Sequence, residues 1–220
     1  MRLFKVCYIV AALMLPLTLL SDDSNYIDKL FEQQVLTQVK QQYDKQALPR
    51  FLNWHTLIKT HANDSDWQKL NVVNKFANKY IHYQSDEMHW QAKDYWATPI
   101  ESLGTGFGDC EDYVIFKYMT LRALGIAQHK MRLMYVRIAH SNEPHMVLVY
   151  YDKPNEIPMV LDNTINKILS ANRRVDLIPV YAFNAKGLWQ ARAHGVGKKL
   201  SETARMTHWS AMLARIEQSQ

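Results

Sequence analysis

Cysteine is scarce in this chain: there are two, Cys7 and Cys110, and Cys7 lies in an apolar N-terminal stretch. So few cysteines exclude a disulfide-stapled fold. Long apolar runs are missing as well. Val6 to Leu20 is apolar apart from Thr18 and is broken by Pro16, which is short of the roughly 20 residues of a membrane-spanning helix. With Arg2 and Lys5 ahead of it, the stretch fits a secretory leader ending near Ser21, or an uncleaved N-terminal anchor. No cluster of Lys and Arg marks a nucleic-acid footprint: 26 basic residues, Arg2 and Lys5 among them, face 21 acidic ones. Internal repeats and low-complexity segments are absent.

What remains is ordinary globular composition, 48% hydrophobic and 21% charged over 220 residues. That length supports one sizeable core, so residues 1–21 are read as leader or anchor and 22–220 as a single domain. Export places the domain in the periplasm of a bacterium, where thiols are oxidised. A single cysteine there is either a small buried hydrophobe or a group kept for chemistry. Asp109, Glu111 and Asp112 surround Cys110 and argue against apolar burial.

Helical spacing runs from Asn25 to about Lys45, from Leu48 to Lys59, and from Asp64 to about His82, with Asp64 or Ser65 as N-cap. Trp54 and Trp67 read as packing residues. Gln84 to Gly108 shows no sustained period and reads as a long ordered loop. Cys110 to about Leu124 is a helix, buried on one side, that stops at Gly125. Met131–Ala139, His145–Tyr151 and Met159–Asp162 read as antiparallel strands. Val180–Phe183 and Leu188–Ala191 read as a hairpin, and Leu200–Ile216 as a closing helix. Helices first and strands second predict an α+β fold with N-terminal helices and a central cysteine helix packed on an antiparallel sheet.

The chemistry centres on Gly104-Thr105-Gly106-Phe107-Gly108-Asp109-Cys110-Glu111-Asp112-Tyr113. Glycines there permit tight turns, and a helix start favours the nucleophilic thiolate. A cysteine nucleophile needs a base, and the base an orienting group. Of nine histidines, His145 opens the apolar strand and shares a face with Val147 and Val149 by period 2; the plainer reading is an ordinary core or surface histidine. Asp162 ends the next strand, where an antiparallel neighbour brings its carboxylate to the imidazole, or else it simply terminates the strand beside Asn163. Asp109, Glu111 and Asp112 would raise the thiol's pKa. Two accounts stand side by side: a cation such as Ca²⁺, which takes roughly 6 to 8 oxygens, or helix capping by Asp109 and Asp112. The spacing matches neither an EF-hand nor a phosphate loop.

Together these residues resemble the bacterial transglutaminase-like cysteine proteinases, and within them the LapG-type periplasmic proteases. The resemblance is carried by Tyr95-Trp96-Ala97-Thr98-Pro99, Gly108-Asp109-Cys110-Glu111-Asp112-Tyr113, Pro144-His145-Met146-Val147-Leu148, Leu161-Asp162-Asn163 and Pro179-Val180-Tyr181. It implies a papain-like/transglutaminase-like fold with Cys110 as nucleophile, His145 as general base and acid, and Asp162 orienting it. It also implies Ca²⁺ dependence through Asp109, Glu111 and Asp112. Further implied are a large surface adhesin as substrate, cut after an alanine pair, and inhibition by the periplasmic domain of an inner-membrane cyclic-di-GMP receptor. The Cys110 N–H is expected to serve the oxyanion, with Trp96 as a second donor. Acyl transfer to an amine, as in a transglutaminase, and a non-catalytic calcium-dependent binding module are the alternatives.

Overall fold

The computed structural model describes residues 31–191, 197–201 and 207–218; the expected leader lies outside them. The apolar stripes become helices α1 (Gln33–Gln42), α2 (Ala47–His61) and α3 (Asp66–Tyr80). Ser65 is the N-cap of α3: Ser65 and Gln68 accept each other's backbone N–H groups at 3.4 and 3.1 Å, a reciprocal cap that satisfies two donors with no intrahelical partner. Trp54 is fully buried, whereas Trp67 is half exposed, so the two tryptophans do not share a packing role.

The stretch expected as a loop over 84–108 contains ordered elements. β1 (His82–Tyr83) pairs in parallel with β2 (Phe107–Gly108), and between them lie α4 (Asp86–His89) and α5 (Pro99–Thr105). Each element is too short to show a period. Still, α5 opens on Thr98-Pro99-Ile100-Glu101, with Thr98 and Glu101 capping reciprocally and proline in the first turn. Local chemistry, rather than amphipathicity, announces it.

Helix α6 (Cys110–Ala123) is the middle of the molecule. It is buried all round, from Asp112 to Leu121, not on one side as expected, because α3 packs on one flank while β4 covers another. Trp54 donates its indole N–H to Thr120 Oγ1 at 3.0 Å, and its ring meets Phe116 at 5.3 Å. Beyond α6 a seven-stranded antiparallel sheet runs in the order β6-β5-β4-β3-β7-β8-β9. Its strands are β3 (Met131–Ile138), β4 (Pro144–Tyr150), β5 (Met159–Leu161), β6 (Leu169–Ser170), β7 (Leu177–Asn184), β8 (Gly187–Gln190) and β9 (Lys199–Ser201). Strand β9, where Leu188 faces Ser201, takes the start of the expected closing helix, so helix α7 covers Thr207–Gln218 instead.

Alternation splits the sheet's side chains. Leu133, Met146, Leu148, Tyr150, Leu161 and Phe183 join the main core, while Met134, Val136, Val147, Val149 and Val160 form a smaller cluster on the other face. The result is an α+β architecture of helices on one face of an antiparallel sheet.

Gly125 ends α6 with φ +86°, and a Cβ there would touch nothing within 4 Å. Gly125→Ala therefore isolates backbone strain. It should cost about 1–2 kcal/mol and lower Tm by several degrees without affecting the site, as checked by calorimetry; an unchanged Tm would contradict the left-handed conformation.

Candidate active site

The approach to Cys110 is fastened from two sides. Arg50 of α2 donates to the Leu103 and Gly104 carbonyls, each at 2.6 Å, which caps the C-terminal end of α5. Asp112, fully buried, accepts from the Ala97 N–H at 2.7 Å and from the Asp109 N–H at 3.3 Å. Gly108 permits this fold-back: a Cβ there would sit 2.8 Å from the Asp112 Cβ. Tyr113 donates its hydroxyl hydrogen to the Ile81 carbonyl, tying the helix start to the chain just before β1.

Cys110 thus begins α6 with its thiol donating to Glu111 Oε2 at 2.9 Å. Burial, then the charges of Glu111 and Asp109, push the thiol far above its ordinary range, against the opposing pull of the Met146 backbone N–H. Acids converge here from three segments. One group joins Asp109, Cys110 and Glu111; a second joins Asp86, Asp109 and Asp112; a third joins Asp86, Asp94 and Glu111, each with ligand atoms within 4.8 Å of one another. Burial first, then Glu111 and Asp94, push Asp86 up to about 6, even though the Tyr95 N–H favours its ionised form. Burial and neighbouring carboxylates raise Asp109 and Asp112 as well.

Sequence reasoning named Asp109, Glu111 and Asp112, and the structure brings them together. It missed Asp86 and Asp94, which come from the segment read as a loop. Asp86 carried one signal, a Ser85-Asp86-Glu87 helix start, and that signal pointed to capping.

On the sheet side, His145 and Asp162 meet as expected: Nε2 of His145 lies 2.9 Å from Asp162 Oδ1, with both side chains buried. Asp162 Oδ1 also accepts from the Thr164 N–H at 3.0 Å, and Oδ2 from Arg174 at 2.7 Å. Burial opposes its ionisation, but His145, the Thr164 N–H and Arg174 outweigh that and hold it below the usual carboxylate range. Arg174 was not foreseen, because nothing in the sequence near it points back to Asp162.

Val147 and Val149 turn away from α6, and Met146, Leu148 and Tyr150 turn toward it. The strand that carries His145 is thus the one packed on the cysteine helix. Trp96 is buried, with its ring stacked on Phe183 at 5.7 Å and tilted over His208 at 5.8 Å. The exposed Tyr83 has its hydroxyl within the field of Cys110, Asp109 and Glu111.

A thiol at the start of a buried helix, beside a strand carrying a histidine–carboxylate pair, is the arrangement of a cysteine peptidase. The family model for bacterial transglutaminase-like cysteine proteinases matches residues 51–177. The chain belongs to this family. Among solved structures it resembles Legionella pneumophila LapG, at 34% identity and TM-score 0.73, covering 86% of this chain and 97% of that one. The EGTA-treated structure of LapG matches equally, and the calcium-bound one matches with TM-score 0.72. A comparison with curated proteins finds no match.

In this cysteine proteinase the acid cluster fits a hard divalent cation. Asp86 Oδ1 and Asp109 Oδ1 are buried without a hydrogen-bond partner among the described residues, whereas both oxygens of Asp112 already hold backbone N–H groups. Unsatisfied carboxylate oxygens are costly unless something positive faces them. Asp86→Asn is expected to weaken Ca²⁺ binding by about tenfold or more in isothermal titration. Unchanged affinity would remove Asp86 from the ligand set.

Proposed function

We propose that the protein is a calcium-dependent periplasmic cysteine endopeptidase that cuts the N-terminal region of a large surface adhesin after an alanine pair and releases it, dispersing a biofilm. The observation that carries this reading is the Cys110 thiol at the start of α6, packed on the strand that bears the buried His145–Asp162 pair. Membership of the cysteine proteinase family and the likeness to LapG support it.

In this mechanism His145, held through Nε2 by Asp162, takes the thiol proton at Nδ1. The sulfur attacks the scissile carbonyl carbon, forming a C–S bond and an oxyanion that the Cys110 N–H at the helix start stabilises. Collapse breaks the C–N bond, and His145 returns its proton to the leaving amine. Water, deprotonated by His145, then cleaves the thioester, and the thiol is restored with a carboxylate product. Glu111 now accepts the thiol's hydrogen, so it must be neutralised for sulfur to ionise. Asp86, Asp109, Glu111 and Asp112 would hold Ca²⁺, whose charge offsets theirs.

Control by the periplasmic domain of an inner-membrane cyclic-di-GMP receptor completes the proposal, and residues 1–21 supply export or anchoring. The test is to incubate the purified protein with the N-terminal region of such an adhesin. New termini after an alanine pair should appear with Ca²⁺, vanish with EGTA and return on calcium addition. Cys110→Ala should give none, and Asp162→Asn should lower kcat by about three to four orders of magnitude. Cleavage by Cys110→Ala would sink the mechanism. Cross-linked or deamidated glutamine in place of new termini would turn the reading to acyl transfer.

A further inference from the structure

Residues 95–97 hold two of the site's acids, and the C-terminal helix in turn holds residues 95–97. The Tyr95 N–H donates to Asp86 Oδ2 at 2.6 Å, and the Ala97 N–H to Asp112 Oδ1 at 2.7 Å. Between them, the Trp96 carbonyl accepts from the guanidinium of Arg215 in α7. That carbonyl and the Ala97 N–H belong to one peptide group, and in a trans peptide they point in opposite directions. One planar unit therefore has Arg215 on its oxygen and Asp112 on its hydrogen. A cation on the oxygen polarises the unit and strengthens its N–H bond to the carboxylate. Asp112 passes the tie on, since its Oδ2 accepts from the N–H of Asp109, an acid whose Oδ1 has no partner among the described residues. The guanidinium also lies over the Tyr95 ring at 4.3 Å, and its Nε is 3.5 Å from Glu101 Oε1, the oxygen that takes the Tyr95 hydroxyl hydrogen at 2.7 Å.

Helix α7 is fixed to the body by other side chains. Trp209, Met212 and Ile216 lie in the main core, and the Trp209 ring meets Tyr118 and Phe183 at 5.8 and 5.9 Å. An arginine with 29% of its side chain exposed could keep its charge in solvent; this one is spread over a main-chain carbonyl, an aromatic face and a carboxylate, the three surfaces that a planar guanidinium suits. We propose that Arg215 is a positioning residue of the calcium site, holding Asp112 through the Trp96–Ala97 peptide and Asp86 through Tyr95. The inference rests on the calcium reading given above. It makes α7 part of the metal site without giving it a ligand, so the ion's affinity is set in part from a helix on the far side of the 95–97 segment.

The test is Ca²⁺ titration by calorimetry at a temperature where every variant is folded. Arg215→Met, which keeps an unbranched side chain and removes the guanidinium, should bind Ca²⁺ about tenfold more weakly. Arg215→Lys, which keeps the charge but not the planar fork, should fall between that variant and the unsubstituted protein. Met212→Ala removes a fully buried contact of the same helix and should lower Tm while leaving the affinity unchanged. Equal affinity in the unsubstituted protein and both Arg215 variants overturns the proposal. So does an affinity lost to the same degree in Met212→Ala, which is what a merely structural arginine predicts. A second reading needs no variant: the NMR signals of the Ala97 amide and the Arg215 Nε–H should shift through a Ca²⁺ titration with one midpoint, and an Arg215 signal that does not move overturns the proposal. No Ca²⁺ binding by the unsubstituted protein would sink the calcium reading and this proposal with it, whereas binding indifferent to Arg215 sinks the proposal alone.

Discussion

Several carboxylates converge on the first turn of α6, and the site is built around the problem this creates. At an effective dielectric of about 20, two like charges 4 Å apart repel by roughly 4 kcal/mol, whereas a helix N-terminus stabilises an adjacent anion by about 0.3–2 kcal/mol. One capping acid is within reach of the helix dipole. Asp86, Asp109, Glu111 and Asp112 together are not. The excess repulsion must be met by protons or by a cation, and the oxygens of Asp86 and Asp109 that lack a partner among the described residues favour the cation. Capping and cation binding, which the sequence left level, are compatible here: Asp112 ties backbone to backbone, while Asp86 and Asp109 each keep one oxygen without a partner among the described residues.

These acids also connect the pieces that present the thiol. Asp86 accepts from the Tyr95 N–H at 2.6 Å and Asp112 from the Ala97 N–H at 2.7 Å, so the segment between α4 and α5 is pinned to the acid cluster. The cysteine helix cannot shift to adapt, being enclosed by α3 and the sheet along its length. Each fully buried apolar side chain there contributes about 1.5–3 kcal/mol, which fixes the helix firmly enough to hold both a thiol at its start and the buried amine of Lys117 at its centre. Strain at the site is electrostatic, and the packing absorbs it.

How much of this could be read in the residues follows from how local each signal is. Helices α2, α3 and α6 and the paired strands β3 and β4 were legible because apolar periods of 3.6 and 2 repeat several times within them. Elements α4, α5 and β9 were not, because they are too short to repeat anything. His145 and Asp162 were found because each stands at the end of an apolar strand, where the residue type is conspicuous. Asp86 and Arg174 reach the site from distant segments, and their neighbours in sequence carry no mark of that contact. Lys117 was invisible for a different reason. A lysine in a helix reads as solvated, and only the enclosure of α6 on all sides makes it an anomaly.

The two ends of the site have opposite electrical character, and this bears on how an idle thiol stays idle. At the start of α6 the acids raise the sulfur's affinity for its proton, and Glu111 receives the S–H directly. Around Asp162, His145, the Thr164 N–H and Arg174 hold the carboxylate ionised against the cost of its burial. One end of the site thus keeps a proton on sulfur, while the other keeps a carboxylate charged beside the imidazole. A cation among the acids would relieve the first influence and leave the second in place. On the peptidase reading, the proton would stay on sulfur until positive charge arrives beside Asp109 and Glu111.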